Sequence, residues 1–163
     1  MIPIVCIVGK SKSGKTTLIE KLIPELKKLG YRVATVKHDT HGFEVDKEGK
    51  DSWRHKQAGA KLVMLSSPKK IALIEDVERD SKLEELREWF VKDVDIIITE
   101  GYKGSSHPKI EVSRKERHAE LLCTRDDNLI AVATDQKFEL GVPCFDLNDA
   151  KGLASFIEEK FLK

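Results

Sequence analysis

An α/β fold with a largely parallel sheet is predicted by two observations. Apolar runs alternate with amphipathic segments along the chain, and the loop Gly9–Thr16 joins an apolar run to a helical pattern. The first strand spans Ile2 to Val8, and the helix after the loop, about Lys15 to Leu29, carries Leu18, Ile19, Leu22, Ile23, Leu26 and Leu29 on one stripe before Gly30. Pro24 removes a backbone donor inside that helix and predicts a kink or a loosened turn. A second strand, about Arg32 to Lys37, leads through a polar stretch, His38 to Lys50, to a short helix with Asp51 as N-cap that ends near Ala58.

Leu62 to Ser66 and Lys69 to Ile74, split by Ser67-Pro68, read as a hairpin. Ser81 caps a helix whose buried stripe is Leu83, Leu86, Trp89 and Phe90. Asp95 to Thr99 and Leu129 to Ala133 are buried strands, and Val142 to Phe145, with Pro143 inside, is a short strand near an edge. A last helix from Asn148 or Asp149 buries Leu153, Phe156, Ile157 and Phe161.

With 163 residues and no internal repeat or low-complexity linker, one domain over 1–163 is expected. A net charge of +1 argues against a general footprint for nucleic acid or an anionic membrane. The apolar stretch from Ile2 to Gly9 falls far short of the roughly 20 residues of a membrane span, and no signal peptide fits it. Cys6, Cys123 and Cys144, odd in number and in or beside apolar runs, read as reduced core thiols of a cytoplasmic protein.

Gly9-Lys10-Ser11-Lys12-Ser13-Gly14-Lys15-Thr16 fits the pattern G-x-x-x-x-G-K-[ST], in the strand-then-helix context its mechanism demands. Glycines let the loop bring backbone N–H groups onto a β-phosphate, and the helix N-terminus adds a favourable dipole. Lys15 then reaches the β- and γ-phosphates, and Thr16 offers its hydroxyl to Mg²⁺. The expected architecture is therefore a three-layer P-loop NTPase fold: a mostly parallel central sheet, helices on both faces and an antiparallel hairpin extension.

Ligands of open α/β sheets lie beyond the carboxyl ends of the strands, which sorts the carboxylates. Asp95 precedes its strand and reads as a cap or surface charge, whereas Glu100 follows its strand and is placed to hold Mg²⁺ through water or to orient an attacking water. Asp39, after the second strand, is a candidate outer-sphere magnesium ligand. Asp135, after the strand ending at Ala133, is placed to accept from guanine N1–H and N2–H₂. In the polar block His38 to His55, the spacing resists a transition-metal site. Lys50, Arg54 and the helix start at Asp51 suit an oxyanion, or else the block is a polar connection. His107 and His118 read as surface residues. Lys103, Lys109, Arg114 and Arg117 form a basic stretch, either a solvated face or a clamp for a second anion.

These residues carry a resemblance. The loop Gly9 to Thr17, Val36-Lys37-His38-Asp39-Thr40-His41, Gly49-Lys50-Asp51-Ser52-Trp53-Arg54-His55 through Ala58-Gly59-Ala60, Thr99-Glu100-Gly101-Tyr102-Lys103 and Pro108-Lys109-Ile110-Glu111 resemble the MobB family of molybdopterin-guanine dinucleotide biosynthesis adapter proteins. The resemblance implies a homodimeric GTP-binding protein with slow Mg²⁺-dependent GTPase activity at most. It would assist the molybdenum cofactor guanylyltransferase that joins GMP to molybdopterin. It implies Gly14, Lys15, Thr16 and Thr17 on the phosphates and Mg²⁺, Asp39 and Glu100 near the metal, and the His38 to His55 block toward the partner enzyme or an anionic cofactor, molybdopterin or molybdopterin guanine dinucleotide. Lys10 stands where a related group of dimeric P-loop proteins has a lysine that reaches across the dimer. The chain lacks the Asn-Lys-x-Asp run that reads guanine in GTPases and offers Thr134-Asp135 instead, so guanine preference rests mainly on the resemblance.

Two other readings remain. A metal-insertion GTPase chaperone of the nickel type needs a clustered Cys or His site, and the sequence has no Cys-x-Cys pair and no His-rich tail. A small-molecule kinase needs an arginine-bearing lid, and Arg114 with Arg117 is the only close arginine pair.

Overall fold

In a computed structural model that describes residues 1–116, 120–139 and 141–163, the elements in chain order are β1 (Ile4–Val8), α1 (Lys15–Lys28), β2 (Val33–Lys37), α2 (Asp51–Gln57), β3 (Leu62–Ser67), β4 (Lys70–Glu75), α3 (Leu83–Phe90), β5 (Ile96–Glu100), β6 (Lys109–Ser113), β7 (Leu129–Thr134), β8 (Cys144–Phe145) and α4 (Ala150–Phe161). Arg117 and His118 lie outside the described residues. Backbone contacts divide the chain into two compact units, residues 1–38 with 87–163, and residues 39–86.

The first unit holds a six-stranded sheet in the order β2-β5-β1-β6-β7-β8, parallel at every pairing. Strands buried on both sides read as continuous apolar runs, which is why Ile4–Val8 and Ile96–Ile98 were legible as central strands. β8 is an edge strand as expected, but it begins at Cys144, so Pro143 precedes it and does not interrupt it. On one face, Val5, Ile7, Ile96, Ile98, Ile110, Val112, Ala131 and Ala133 share a core with the Leu18–Leu22–Leu26 stripe of α1 and with Leu153, Ala154 and Ile157 of α4. Phe156 and Phe161 of α4 are only partly buried. α1 continues through Pro24, so the proline removes one donor without ending the helix. It closes with the Gly30 N–H on the Lys27 carbonyl and the Tyr31 N–H on that of Leu26, a Schellman pattern.

The other face is a departure from the sequence reading. The basic stretch expected around Lys109 contains a central strand, β6, and alternation along it places Lys109, Glu111 and Ser113 on the same buried face as Cys6 and Thr99. Lys109 is 1% exposed. Its ammonium donates to the carbonyls of Ser105, of His107 at 3.2 Å and of Asp127 at 2.7 Å. The Glu111 carboxylate accepts the backbone N–H groups of Leu122 at 2.6 Å and Cys123 at 2.9 Å. Burial pushes the Glu111 carboxyl above its ordinary range while those two N–H groups pull it down. Burial, with Glu111 beside it, pushes the Cys123 thiol up to about 11. Cys6 and Cys123 are core thiols as expected, but Cys144 is exposed because β8 lies at the sheet edge. His107 is half-buried rather than a surface residue. At the amino ends of the strands, Asp95 forms a two-point pair with the Arg32 guanidinium, 3.2 Å on each side, which holds its carboxyl below the usual range.

In the second unit, β3 and β4 pair antiparallel from Leu62 opposite Glu75 to Ser67 opposite Lys70, the hairpin the sequence predicts. α2 packs on β3, and the Lys56 ammonium ties its end to the Asp76 carboxylate and the Ala60 carbonyl. Lys50 rather than Asp51 occupies the N-cap of α2, and Asp51 is its first helical residue, where its charge still favours the helix dipole. In the first turn of α3, Glu85 accepts the Lys82 N–H and pairs with Arg79, which holds its carboxyl down to about 2. Along α3, Trp89 and Phe90 are 53% and 51% exposed, so the predicted buried stripe is confined to its first residue, Leu83.

Lys109→Met keeps most of the volume but leaves three carbonyls without their donor, so the unfolding free energy measured in urea should fall by about 3 kcal/mol. A loss within about 0.5 kcal/mol would show that the buried ammonium is dispensable.

Candidate phosphate-binding site

β1 ends at Val8 and the chain turns at Gly9 with φ +148°, where a Cβ would stand 2.5 Å from the Val112 carbonyl oxygen and 2.7 Å from Ser13 Oγ. Glycine is therefore what allows the loop to cross β6 at backbone contact. Ser13 is 1% exposed and its hydroxyl has no hydrogen-bond partner among the described residues. Ser11 and Lys12 form the exposed tip. Lys15 arches back, its ammonium 3.0 Å from the carbonyl oxygens of both Gly9 and Lys10. Gly14 is the N-cap of α1, and the first turn, with Thr16 and Thr17 exposed in it, contains no acidic residue. The positive end of a 14-residue helix is thus left for an external anion.

β5 ends at Glu100, next to Ile7 of β1 and opposite Lys37 of β2. The Thr16 hydroxyl lies 3.0 Å and 2.9 Å from its two carboxylate oxygens. A hydroxyl and a carboxylate make a hard-oxygen set, which fits Mg²⁺ and not a soft metal. Beyond it, the Gly101 N–H bonds the Ile7 carbonyl and the His38 N–H that of Glu100. The His38 and Tyr102 rings stack at 4.4 Å.

Arg114, directly after β6, donates from Nε to the Ser13 carbonyl at 3.0 Å, and its guanidinium would stand 3.1 Å from a Cβ on Gly14. From sequence, Arg114 belongs to a basic stretch that is a solvated face or an anion clamp, and to the arginine pair weighed for a kinase lid. The signal that could have found it is the carboxyl-end rule, which was not applied because β6 itself was missed. Asp135, after β7, accepts the Lys115 N–H at 2.8 Å on one oxygen.

The remaining candidates belong to the second unit. Asp39 accepts the His41 N–H at 3.0 Å. Lys50, Asp51 and Arg54 are all exposed at the start of α2, with the Arg54 N–H on the Lys50 carbonyl at 2.9 Å. Among the described residues, no three His, Cys, Asp or Glu side chains come together as a metal-holding group. No helix among them is long and apolar enough to cross a membrane.

The profile of the family described as molybdopterin guanine dinucleotide synthesis protein B matches residues 4–135. The chain belongs to the MobB family. Within that family it is 40% identical over 158 residues to the molybdopterin-guanine dinucleotide biosynthesis adapter protein of Haemophilus influenzae, covering 96% of this chain and 88% of that one. The adapter protein of the same description from Escherichia coli is 36% identical, with 98% and 93% covered. A solved MobB structure, molybdopterin-guanine biosynthesis protein B, superposes with a TM-score of 0.76 at 32% identity, covering 96% of this chain and 98% of that one. The Bacillus subtilis MobB structure gives 0.77 at 29% identity, with 98% of each chain covered. The MobB fold therefore extends over the sheet, its helices and the hairpin.

Gly9→Ala would drive a methyl group into the Val112 carbonyl at a φ that side chains rarely adopt. It should cost about 3 kcal/mol of stability by thermal or urea unfolding, and parental stability would overturn the close approach.

Proposed function

We propose that this chain is a cytoplasmic GTP-binding accessory protein of molybdenum cofactor biosynthesis, assisting the enzyme that joins GMP to molybdopterin to form molybdopterin guanine dinucleotide. The observation that carries the nucleotide part is the Thr16 hydroxyl bonded to Glu100 directly behind a phosphate loop at the N-terminus of α1. The pathway part is supported by the family and by relatives named as adapter proteins.

In this reading the backbone N–H groups of Gly9 to Thr17 take the phosphates, with Lys10, Ser11, Lys12, Ser13 and Gly14 forming the cradle and Lys15 adding charge at the β- and γ-positions. Thr16 and Glu100 would hold Mg²⁺, which neutralises charge on the phosphate oxygens. Glu100 is also the group that would orient water for slow hydrolysis. Asp135 would read guanine: one of its oxygens already accepts the Lys115 N–H, and a carboxylate has acceptor sites left for a base. Lys50, Asp51 and Arg54 would meet the partner guanylyltransferase or an anionic cofactor, molybdopterin or its guanine dinucleotide. The chain would act as a homodimer, a reading supported by the apolar side chains the hairpin leaves exposed, Ile71 at 71% and Met64 at 59% among them. Sedimentation at monomer mass would overturn it.

Calorimetry with Mg²⁺ should show GTP bound more tightly than ATP, and Lys15→Ala should weaken GTP by about 100-fold through loss of a charge-assisted contact. Asp135→Asn, which exchanges an acceptor for a donor, should lower GTP affinity and favour xanthosine triphosphate. Equal binding of GTP and ATP would overturn guanine recognition, and parental GTP affinity in Lys15→Ala would overturn the site itself.

Arg54→Ala should leave GTP binding unchanged while lowering formation of molybdopterin guanine dinucleotide by the partner enzyme by about 10-fold, the effect of one lost charged contact. Unaltered formation would reduce the α2 block to a structural connection.

A further inference from the structure

Arg114 has two features that an incidental surface arginine lacks. Its Nε is 3.0 Å from the Ser13 carbonyl oxygen, and its guanidinium fills the space a side chain on Gly14 would need. The backbone on either side of it is held as well. Ser113 before it is buried at the end of β6, and the N–H of Lys115 after it is fixed by the Asp135 carboxylate at 2.8 Å. On the same strand the buried Glu111 carboxylate accepts the N–H groups of Leu122 and Cys123. The arginine is thus presented to the phosphate loop by the end of β6 and by the Asp135 carboxylate after β7.

The carbonyl and the N–H of one trans peptide point in opposite directions. A cation that draws the Ser13 carbonyl to one side therefore turns the Gly14 N–H to the other, and it polarises that N–H into a stronger donor. Lys15 draws the Gly9 and Lys10 carbonyls in the same manner, so two cations orient three carbonyls of one short loop. A donor aimed in advance costs a phosphate nothing in reorganisation.

We propose that Arg114 is a positioning residue of the phosphate loop, setting the Ser13–Gly14 peptide for the β-phosphate of a nucleoside di- or triphosphate. The proposal rests on the nucleotide reading above and deepens it. Because the β-phosphate is common to GDP and GTP and absent from GMP, the arginine acts on the first two equally and not on the third. Lysine at this position supplies charge without the planar fork and restores the effect only in part.

The test is calorimetric titration of the full chain with GDP, GTP and GMP, alongside apo melting temperatures and the amide resonance of Gly14, for the parent, Arg114→Ala and Arg114→Lys. Arg114→Ala should weaken GDP and GTP by the same factor, about 10- to 100-fold, leave GMP and the melting temperature unchanged and shift the Gly14 amide; Arg114→Lys should fall between the two. Parental affinity for GDP and GTP in Arg114→Ala overturns the proposal while leaving the nucleotide reading intact. An equal loss for GMP with a lowered melting temperature also overturns it, as the mark of a merely structural side chain. A parent that binds no nucleotide overturns the nucleotide reading and the proposal together.

Discussion

A lysine ammonium that water does not reach gathers the connections on both sides of β6. Taking a charge from water into the interior is expensive, and it persists there only when every donor finds an acceptor. Lys109 meets that condition with three backbone carbonyls, from Ser105, His107 and Asp127, which belong to two different connections. The connection from β5 to β6 and the turn before β7 are thereby gathered onto one side chain. Glu111, two residues on and on the same face, gathers a third segment through the N–H groups of Leu122 and Cys123. Where α1 and α4 cover the other face with apolar side chains, the side chains of β6 on this face satisfy loop backbone.

β6 therefore connects stability with the site. Its apolar side chains, Ile110 and Val112, belong to the core, its polar ones pin the loops, and its backbone meets the phosphate loop where the Val112 carbonyl faces Gly9. The residue just past its end, Arg114, grips the next part of that loop. On the other side of β1, β5 delivers Glu100 to Thr16. The strands flanking β1 thus hold the loop from two sides, and the all-parallel order brings their carboxyl ends together there.

The same asymmetry explains what the sequence disclosed. The loop Gly9–Thr16 and Glu100 were legible because their signals are local: a spacing of glycines and a carboxylate just after an apolar run. β6 was not, because Lys109-Ile110-Glu111-Val112-Ser113 offers only two apolar residues in a neighbourhood rich in charge. The carbonyls that make a buried Lys109 tolerable come from as far along the chain as Asp127, and no local pattern announces them. Arg114 stands in the same charge-rich stretch, and nothing local ties it to the phosphate loop. The error ran in the opposite sense at Trp89 and Phe90, where helical spacing promised burial and both rings remain about half exposed. Periodicity locates an apolar stripe and does not supply what covers it.

The cations of the phosphate loop already have partners, and this constrains what the site does. The Lys15 ammonium holds two carbonyls at 3.0 Å, so a ligand recruits it only by offering a stronger acceptor than Gly9 and Lys10 together. A triphosphate does so through charge, whereas a neutral or singly charged oxygen ligand gains little from the exchange. The Thr16 hydroxyl, in donating to Glu100, keeps its oxygen lone pairs outward for a hard cation. Glu100 is committed to Thr16 as well, so releasing it to orient water would give up that hydrogen bond. A carboxylate held in this way cannot activate water without giving up that bond, which accords with the slow hydrolysis at most of the proposed reading.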